Sequence, residues 1–443
     1  MQDNNPKTPT TGQQQRALWG STFAFTTCFA VWMIFSIIGI PIKEKLQLSE
    51  TAFGLLIAMP VLSGSLIRIF VGVWADQLGG RLILTVMMLF SAAATWMVTY
   101  ATSYPQFLLA ALLIGIVGGS FSVGITYVSK WFSADKQGTA LGIFGAGNIG
   151  AAVTKLLAPI VMAAAGWMMV AKVWALALAL VAVAFYLFTS DDPSLAERRA
   201  SGVKPVPFKE QMMPLKKLQV WRFSLYYFFV FGGFVALSLW LPRYLIGAYG
   251  MDVKHAGVIA ACYSIPASLF RIVGGWLSDK HGARKVMYWT LGVSVICTFL
   301  LAYPDTNYVI NGIHHPISFR LAMGVIPFTG VVFVLGFFMS LGKAAVYKHI
   351  PVYYPDYVGS VGGVVGMIGG LGGFVLPIMF GALNDLTDVW TSCFMLLFLV
   401  SAGSLVWMHF AIRRMERKHF PQIAGETDLP EIMQATSDAQ RKG

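Results

Sequence analysis

Two arginines stand where arginine is costly to place. Arg68 and Arg271 each lie inside a long apolar run, between Leu66-Ile67 and Ile69-Phe70 in one case and between Leu269-Phe270 and Ile272-Val273 in the other. Each comes eight residues before an aspartate, Asp76 or Asp279, which is about two turns of helix at ~1.5 Å per residue. A charge at that depth in hydrocarbon costs about 2.5–3.5 kcal/mol on insertion scales, so it points to function. A structural explanation would be a buried carboxylate opposite each arginine. No Asp or Glu falls in the middle of an apolar run; all lie at ends, in loops or in tails. The counterion is therefore expected to be a ligand. A planar guanidinium offers two parallel charge-assisted hydrogen bonds, which suits a small flat oxyanion.

Two lysines share this unusual setting, Lys155 and Lys343. Unlike arginine, a buried lysine can give up its proton, because desolvation and neighbouring positive charge disfavour the ammonium. Both could bind and release a proton at depth. The alternative for Lys155 is that its head only reaches a polar layer and packs there.

The elements that must hold these residues are membrane helices. The chain has 443 residues, of which 12% are charged, against about 25% in a soluble domain, and its mean hydropathy is +0.67. Twelve apolar runs are each close to the ~20 residues that a membrane crossing needs. They fall at about 17–41, 53–76, 81–101, 105–132, 138–165, 168–189, 219–247, 254–279, 284–303, 319–350, 357–384 and 389–412. The expected fold class is all-α and integral to the lipid bilayer. The polar start Met1–Gln15 has no cleavage pattern after a short apolar core, so the first span is expected to stay.

The net charge of +12 does not call for nucleic acid. Arg81, Lys130, Lys216, Arg222, Arg284, Lys348 and Arg413 fall on the side of the termini, and only Lys43, Lys45, Lys172, Arg243, Lys254 and Arg320 on the other. That is the positive-inside bias, with both termini cytoplasmic. The four cysteines sit singly in separate apolar runs, without disulfide or metal-ligand spacing. His-Glu-x-x-His, a nucleophile elbow and a phosphate loop are all missing, so neither an enzyme nor a cofactor is expected.

The chain repeats itself. Arg68-Ile69-x-x-Gly72-x-x-x-Asp76-x-x-Gly79-x-Arg81 recurs as Arg271-Ile272-x-x-Gly275-x-x-x-Asp279-x-x-Gly282-x-Arg284, an offset of 203 residues (271 − 68) that also pairs Ser65 with Ser268. A second match, Asp135 with Asp356 and Gly145 with Gly366, has an offset of 221 (356 − 135), so the later half carries an insertion around Asp305–Ser318. The expected organisation is an N-terminal segment 1–16, a six-helix bundle 17–189, a charged linker 190–218, a second bundle 219–412, and a disordered tail 413–443. Two six-helix halves with a midplane site between them are the layout of transporters that work by alternating access. The Gly-x-x-x-Asp-x-x-Gly-x-Arg element resembles the signature loop of the major facilitator superfamily. Asp76, Arg81, Asp279 and Arg284 are accordingly read as gating or structural groups, the aspartates pairing with basic groups across the interface between halves.

Spans 5 and 11 are rich in glycine, Gly142 to Gly150 in one and Gly362 to Gly373 in the other. Small residues at such spacing let helices approach closely. The segments Gly145-Ala146-Gly147-Asn148-Ile149-Gly150 and Gly366-Met367-Ile368-Gly369-Gly370-Leu371-Gly372-Gly373-Phe374, together with Arg68, Arg271 and Gly342-x-x-x-x-Tyr347-x-x-Ile350-Pro351, resemble the nitrate/nitrite porter family over nearly the whole chain. The resemblance implies an anion held between Arg68 and Arg271, with Asn148 nearby and with Tyr227, Phe231 and Phe121 as aromatic walls. It also implies nitrate or nitrite as substrate and a bacterial inner membrane; a monomer is expected. Tyr227 and Phe231 share a helix face, as pocket walls would, although an aromatic stripe also serves core packing. Lys155, two turns after Asn148, resembles the proton-coupled branch of the family, whereas the nitrate-for-nitrite exchangers lack an ionisable group there. A channel or a transport-like sensor is the reading from another class, and the duplicated halves favour a rocking carrier.

Overall fold

A computed structural model describes residues 10–132, 134–192, 195, 216–353 and 358–419. Ten helical stretches among these are long and apolar enough to cross a membrane, and Val253–Leu269 with Arg271–His281, bent by 40°, makes an eleventh. Glu50–Leu66 continued by Arg68–Leu78 is the twelfth. In chain order, span 1 is Thr11–Leu46, span 2 the broken Glu50 helix, span 3 Gly80–Tyr100, span 4 Tyr104–Ser129, span 5 Thr139–Ala165, span 6 Trp167–Phe188 and span 7 Leu218–Tyr249. Span 8 is the bent pair, followed by span 9, Ala283–Ala302, then Val325–Tyr353, Val358–Thr387 and Ser392–His419 as spans 10 to 12.

The count agrees with the apolar runs, and several boundaries differ. Span 1 begins at Thr11 rather than 17, because Thr10 and Gln13 form a capping box that starts the helix inside the polar segment. Span 12 continues through Arg413 and Arg414 rather than stopping at 412. Span 10 begins at Val325, not 319, because the residues before it pair as an antiparallel hairpin, β1 Thr306–Asn311 with β2 Pro316–Leu321. This hairpin is the expected insertion of the second half. Most of the linker 190–218 and of the tail 413–443, together with Asp356, lies outside the described residues.

The sequence repeat is also a repeat of backbone conformation. Gly79 has φ 97° and ψ 133°, and Gly282 has φ 83° and ψ 136°. Both lie in a region that residues with a Cβ rarely adopt, so glycine makes the tight turn between spans 2 and 3 and again between spans 8 and 9. Arg81 donates to the Tyr186 carbonyl and covers that ring at 4.2 Å. Arg284 donates to the Tyr353 hydroxyl at 3.5 Å. Asp279 pairs with Lys348 at 2.6 Å. That partner belongs to span 10 of the same half, which corrects the expected pairing across the interface: span 10 packs directly on span 8 and brings its lysine there. The Asp76 side chain is outside those described.

The halves are locked together at the end of the bundle away from the termini. Glu50 at the start of span 2 takes a bidentate bond from Arg243 of span 7 and pairs with Lys43 at 3.4 Å. Asp385 of span 11 accepts from the Glu50 and Thr51 amides at 2.9 and 2.7 Å, neutralising the positive end of span 2. Backbones touch here: a Cβ on Gly54 would lie 2.3 Å from the Pro377 carbonyl, and one on Gly381 would lie 2.2 Å from that of Glu50.

Candidate functional site

Five of the helices that reach the centre of the bundle are interrupted there. Span 2 breaks at Ile67, immediately before Arg68, and span 8 breaks at Phe270, immediately before Arg271. Span 4 tightens to a 3-10 turn at Ile116–Gly119, just ahead of Phe121, and span 5 does so at Ala146–Ile149, which includes Asn148. Span 7 widens to a π-turn at Phe228–Gly233, between Tyr227 and the far side of Phe231. Irregular backbone at membrane depth survives only when buried in protein or lining a cavity, and such turns often mark functional sites.

These segments, together with Tyr347 of the continuous span 10, place six side chains in a closed ring. Arg68 lies 5.8 Å from the centre of the Phe121 ring, and Arg271 lies 5.2 Å from the same centre. From Arg271 the ring passes to Tyr347 at 5.8 Å, then to Tyr227, edge-on at 5.0 Å. Tyr227 stacks on Phe231 at 5.1 Å and 8°, and Phe231 closes onto Arg68 at 5.3 Å. Trp32 of span 1 adds a further face to Arg68 at 5.8 Å. Aromatic faces attract cations through their quadrupole, so the ring holds both guanidiniums in place while leaving their charge unneutralised.

Neither arginine has an ion pair among the described residues, and both are buried. Arg68 Nε donates to the Gly118 carbonyl at 3.4 Å and Nη1 to the Gly366 carbonyl at 3.1 Å, one from each half. Arg271 Nη1 has no hydrogen-bond partner among the described residues, and the same holds for both polar atoms of Asn148, the Tyr227 hydroxyl and Ser65 Oγ. Buried polar groups are normally satisfied. Other buried groups, such as Ser91 Oγ and Trp240 Nε1, also have no partner among the described residues, but Arg271 Nη1, the Tyr227 hydroxyl, Ser65 Oγ and the Asn148 amide belong to, or adjoin, the residues of one ring, the arrangement expected of a site built for a small acceptor-rich ligand.

Glycines set the spacing. A Cβ on Gly369 would lie 2.2 Å from the Tyr227 ring; one on Gly370 would meet Ser65 Oγ at 2.4 Å and Arg68 Nη1 at 3.5 Å; one on Gly145 would sit 3.5 Å from Arg271 Nη1. Gly147, Gly150 and Gly372 instead pack helix on helix, against Phe25, the span 1 backbone at Thr26 and Ala30, and the Phe228 carbonyl respectively. Arg68, Arg271, Tyr227, Phe231 and Phe121 are thus gathered in the ring, and Asn148 lies one 3-10 turn beyond the Gly145 contact. Sequence reasoning missed Tyr347 and Ser65. Tyr347 stood within a quoted segment and Ser65 within the repeat, but neither carried a signal of its depth.

The lysines separate. Lys155 is fully buried and donates back to the Ala151 carbonyl of its own helix at 3.1 Å. Lys343 is equally buried; its ammonium covers the Phe234 ring at 3.7 Å and donates at 2.5 Å to the Ala267 carbonyl, four residues before Arg271. In a continuous helix that carbonyl would face the Arg271 amide. The structure therefore places Lys343 at the break that positions Arg271. Among the described residues no cluster of His, Cys, Asp or Glu could hold a metal ion.

A family model described as Major Facilitator Superfamily matches residues 21–307 and 247–437. The chain is 42% identical to the "Probable nitrate/nitrite antiporter NarK1" of Thermus thermophilus, covering 94% of this chain and 95% of that one. It is 29% identical to the "Nitrite extrusion protein" of Bacillus subtilis (87% and 92% covered) and 27% identical to a "Probable nitrate transporter NarT" of Staphylococcus epidermidis (87% and 94%). Among solved structures, a bacterial homologue of the human lysosomal transporter Spinster superposes with a TM-score of 0.62 at 16% identity, covering 91% of this chain and 96% of the other, which is a likeness of fold.

Proposed function

The chain belongs to the major facilitator superfamily and, within it, to the nitrate/nitrite porters, and on that premise we propose that it carries nitrate, with nitrite as a second substrate, by alternating access. The observation that carries the site assignment is the ring itself: two buried guanidiniums without carboxylates, on either side of Phe121, with unpartnered donors beside them. A single anion between Arg68 and Arg271 would be shared by both halves, cutting the charge of the pair from +2 to +1 and screening the repulsion between them. Its binding favours the halves drawing together, and its departure leaves two like charges that resist closure. The Glu50–Arg243–Asp385 contacts hold one end shut, so release toward that side requires them to part. By the charge bias, the shut end faces away from the cytoplasm of a bacterial inner membrane.

Net uptake needs a second charge carrier. Asp and Glu lie at the span ends and the buried His349 lies near the end of span 10, against Phe223 and Tyr353; Lys343 and Lys155 are the candidates deeper in the bundle that could bind and release a proton, and proton symport is the reading we adopt. Nitrate/nitrite exchange at the same site is the second reading, favoured by the name of the Thermus relative. Proteoliposomes separate the two. Nitrate uptake driven by an inward proton gradient, without internal anion, supports symport; uptake that requires internal nitrite supports exchange and removes the coupling role of the lysines.

A further inference from the structure

We propose that Ser65 is a ligand of the transported anion, donating its hydroxyl to an oxygen of the oxyanion held by Arg68 and thereby favouring nitrate over nitrite. The inference rests on the anion site between the two arginines. A serine inside a helix ordinarily turns its hydroxyl to the carbonyl four residues back. Ser21, Ser264, Ser268 and Ser278 all do so here, at 2.6–3.1 Å. Ser65 does not: its Oγ is buried and has no partner among the described residues, as is also true of Ser91, Ser294 and Ser340, and of these four it is Ser65 that stands three residues before a ring arginine.

The contrast with Ser268 is informative, because Ser65 and Ser268 occupy the same place in the two repeats, three residues before their arginines. Ser268 bonds the Ser264 carbonyl at 2.7 Å. The halves, alike in their arginines, therefore differ in the hydroxyl beside them. Position supplies the second argument. Ser65 and Arg68 lie on either side of the break at Ile67, and both meet the missing side chain of Gly370, at 2.4 Å from Oγ and 3.5 Å from Nη1. The neighbouring Gly369 lies against Tyr227. An anion on the Arg68 fork at this spot would find the Ser65 hydroxyl beside it. Nitrate has three oxygens to satisfy and nitrite two, so a donor beyond the guanidinium forks serves nitrate more.

The test is saturable nitrate and nitrite counterflow in proteoliposomes for the wild type, Ser65→Ala, Ser65→Thr, Ser268→Ala and Arg68→Gln. A hydrogen bond to a charged group lost from the site corresponds to a tenfold to hundredfold rise in KM. Ser65→Ala is expected to raise the nitrate KM about tenfold or more and the nitrite KM less. Ser65→Thr should restore most of the nitrate affinity, and Ser268→Ala should stay near wild type. An unchanged nitrate KM in Ser65→Ala, or equal losses for both anions with lowered thermal stability, overturns the assignment. If Arg68→Gln transports normally, the anion site itself is wrong; if it fails while Ser65→Ala is unaffected, the error lies with Ser65 alone.

Discussion

Gly369→Ala adds a single carbon, and the geometry says where it goes: 2.2 Å from one ring carbon of Tyr227 and 3.0 Å from the next. Carbons rest about 3.5–4.0 Å apart, so the ring or span 11 must yield by more than about 1 Å. The ring has little room, since it stacks on Phe231 at 5.1 Å and meets the edge of Tyr347 at 5.0 Å, and both of these touch an arginine. Overpacking of this kind costs about 1–3 kcal/mol, and a shift of about 1 Å in a positioning group can cost on the order of a hundredfold in rate. Gly363→Ala is the control in the same span, because nothing lies within 4 Å of its Cβ. Nitrate uptake would be measured alongside thermal unfolding of the purified protein. We expect Gly369→Ala to lose about a hundredfold in uptake while remaining folded, and Gly363→Ala to stay within about twofold. Equal activity in the two variants would refute the claim that Gly369 sets the position of the ring.

Other consequences can be checked separately. Glu50→Gln removes the charge that binds Arg243; with about 1.5–3 kcal/mol for a hydrogen bond to a charged group, the closed-to-open ratio at that end should fall at least about tenfold, read as a broadened distance distribution between spin labels at Gln47 and Asp388. Lys343→Gln should abolish uptake driven by a proton gradient and spare counterflow, with a larger effect than Lys155→Gln, because Lys343 binds the carbonyl at the Arg271 break; the reverse order in a pH-jump uptake assay counts against this placement. Phe121→Ala removes the ring that both guanidiniums face and should weaken nitrate binding at least about tenfold, measured by equilibrium binding. At the hairpin, the bond from Arg320 holds the Asp305 carboxyl below its usual range. A depressed carboxylate contributes order above its unfolded pKa of about 4 and loses it as pH falls through the folded value, so hydrogen exchange in 306–321, corrected for intrinsic rate, should rise only below about pH 4.

Much of this was legible in the residues because membranes impose coarse rules. Apolar runs give the twelve spans, and the repeat gives two halves and the paired glycine turns at Gly79 and Gly282. The absence of acid near Arg68 and Arg271 already pointed to an anion. What the sequence did not carry is local. The 3-10 and π-turns around Phe121, Asn148 and Tyr227 sit where neighbouring helices approach closely, as Gly118 does Gly64 and Gly232 does Gly372, so no periodicity announced them. Lys155 and Lys343 looked alike as buried lysines; only the partners of their ammonium groups, Ala151 in the same helix and Ala267 in another, distinguish them. The Asp279–Lys348 pair shows the same limit, since a choice between partners within or across halves depends on helix packing.

The central claim is that one anion bridges Arg68 and Arg271, and equilibrium binding of nitrate to the purified protein tests it most directly. We expect saturable binding of one nitrate per chain, displaced by nitrite, with affinity lowered at least about tenfold in both Arg68→Gln and Arg271→Gln, as for the loss of a hydrogen bond to a charged group. Nitrate binding that persists undiminished in either variant would contradict it.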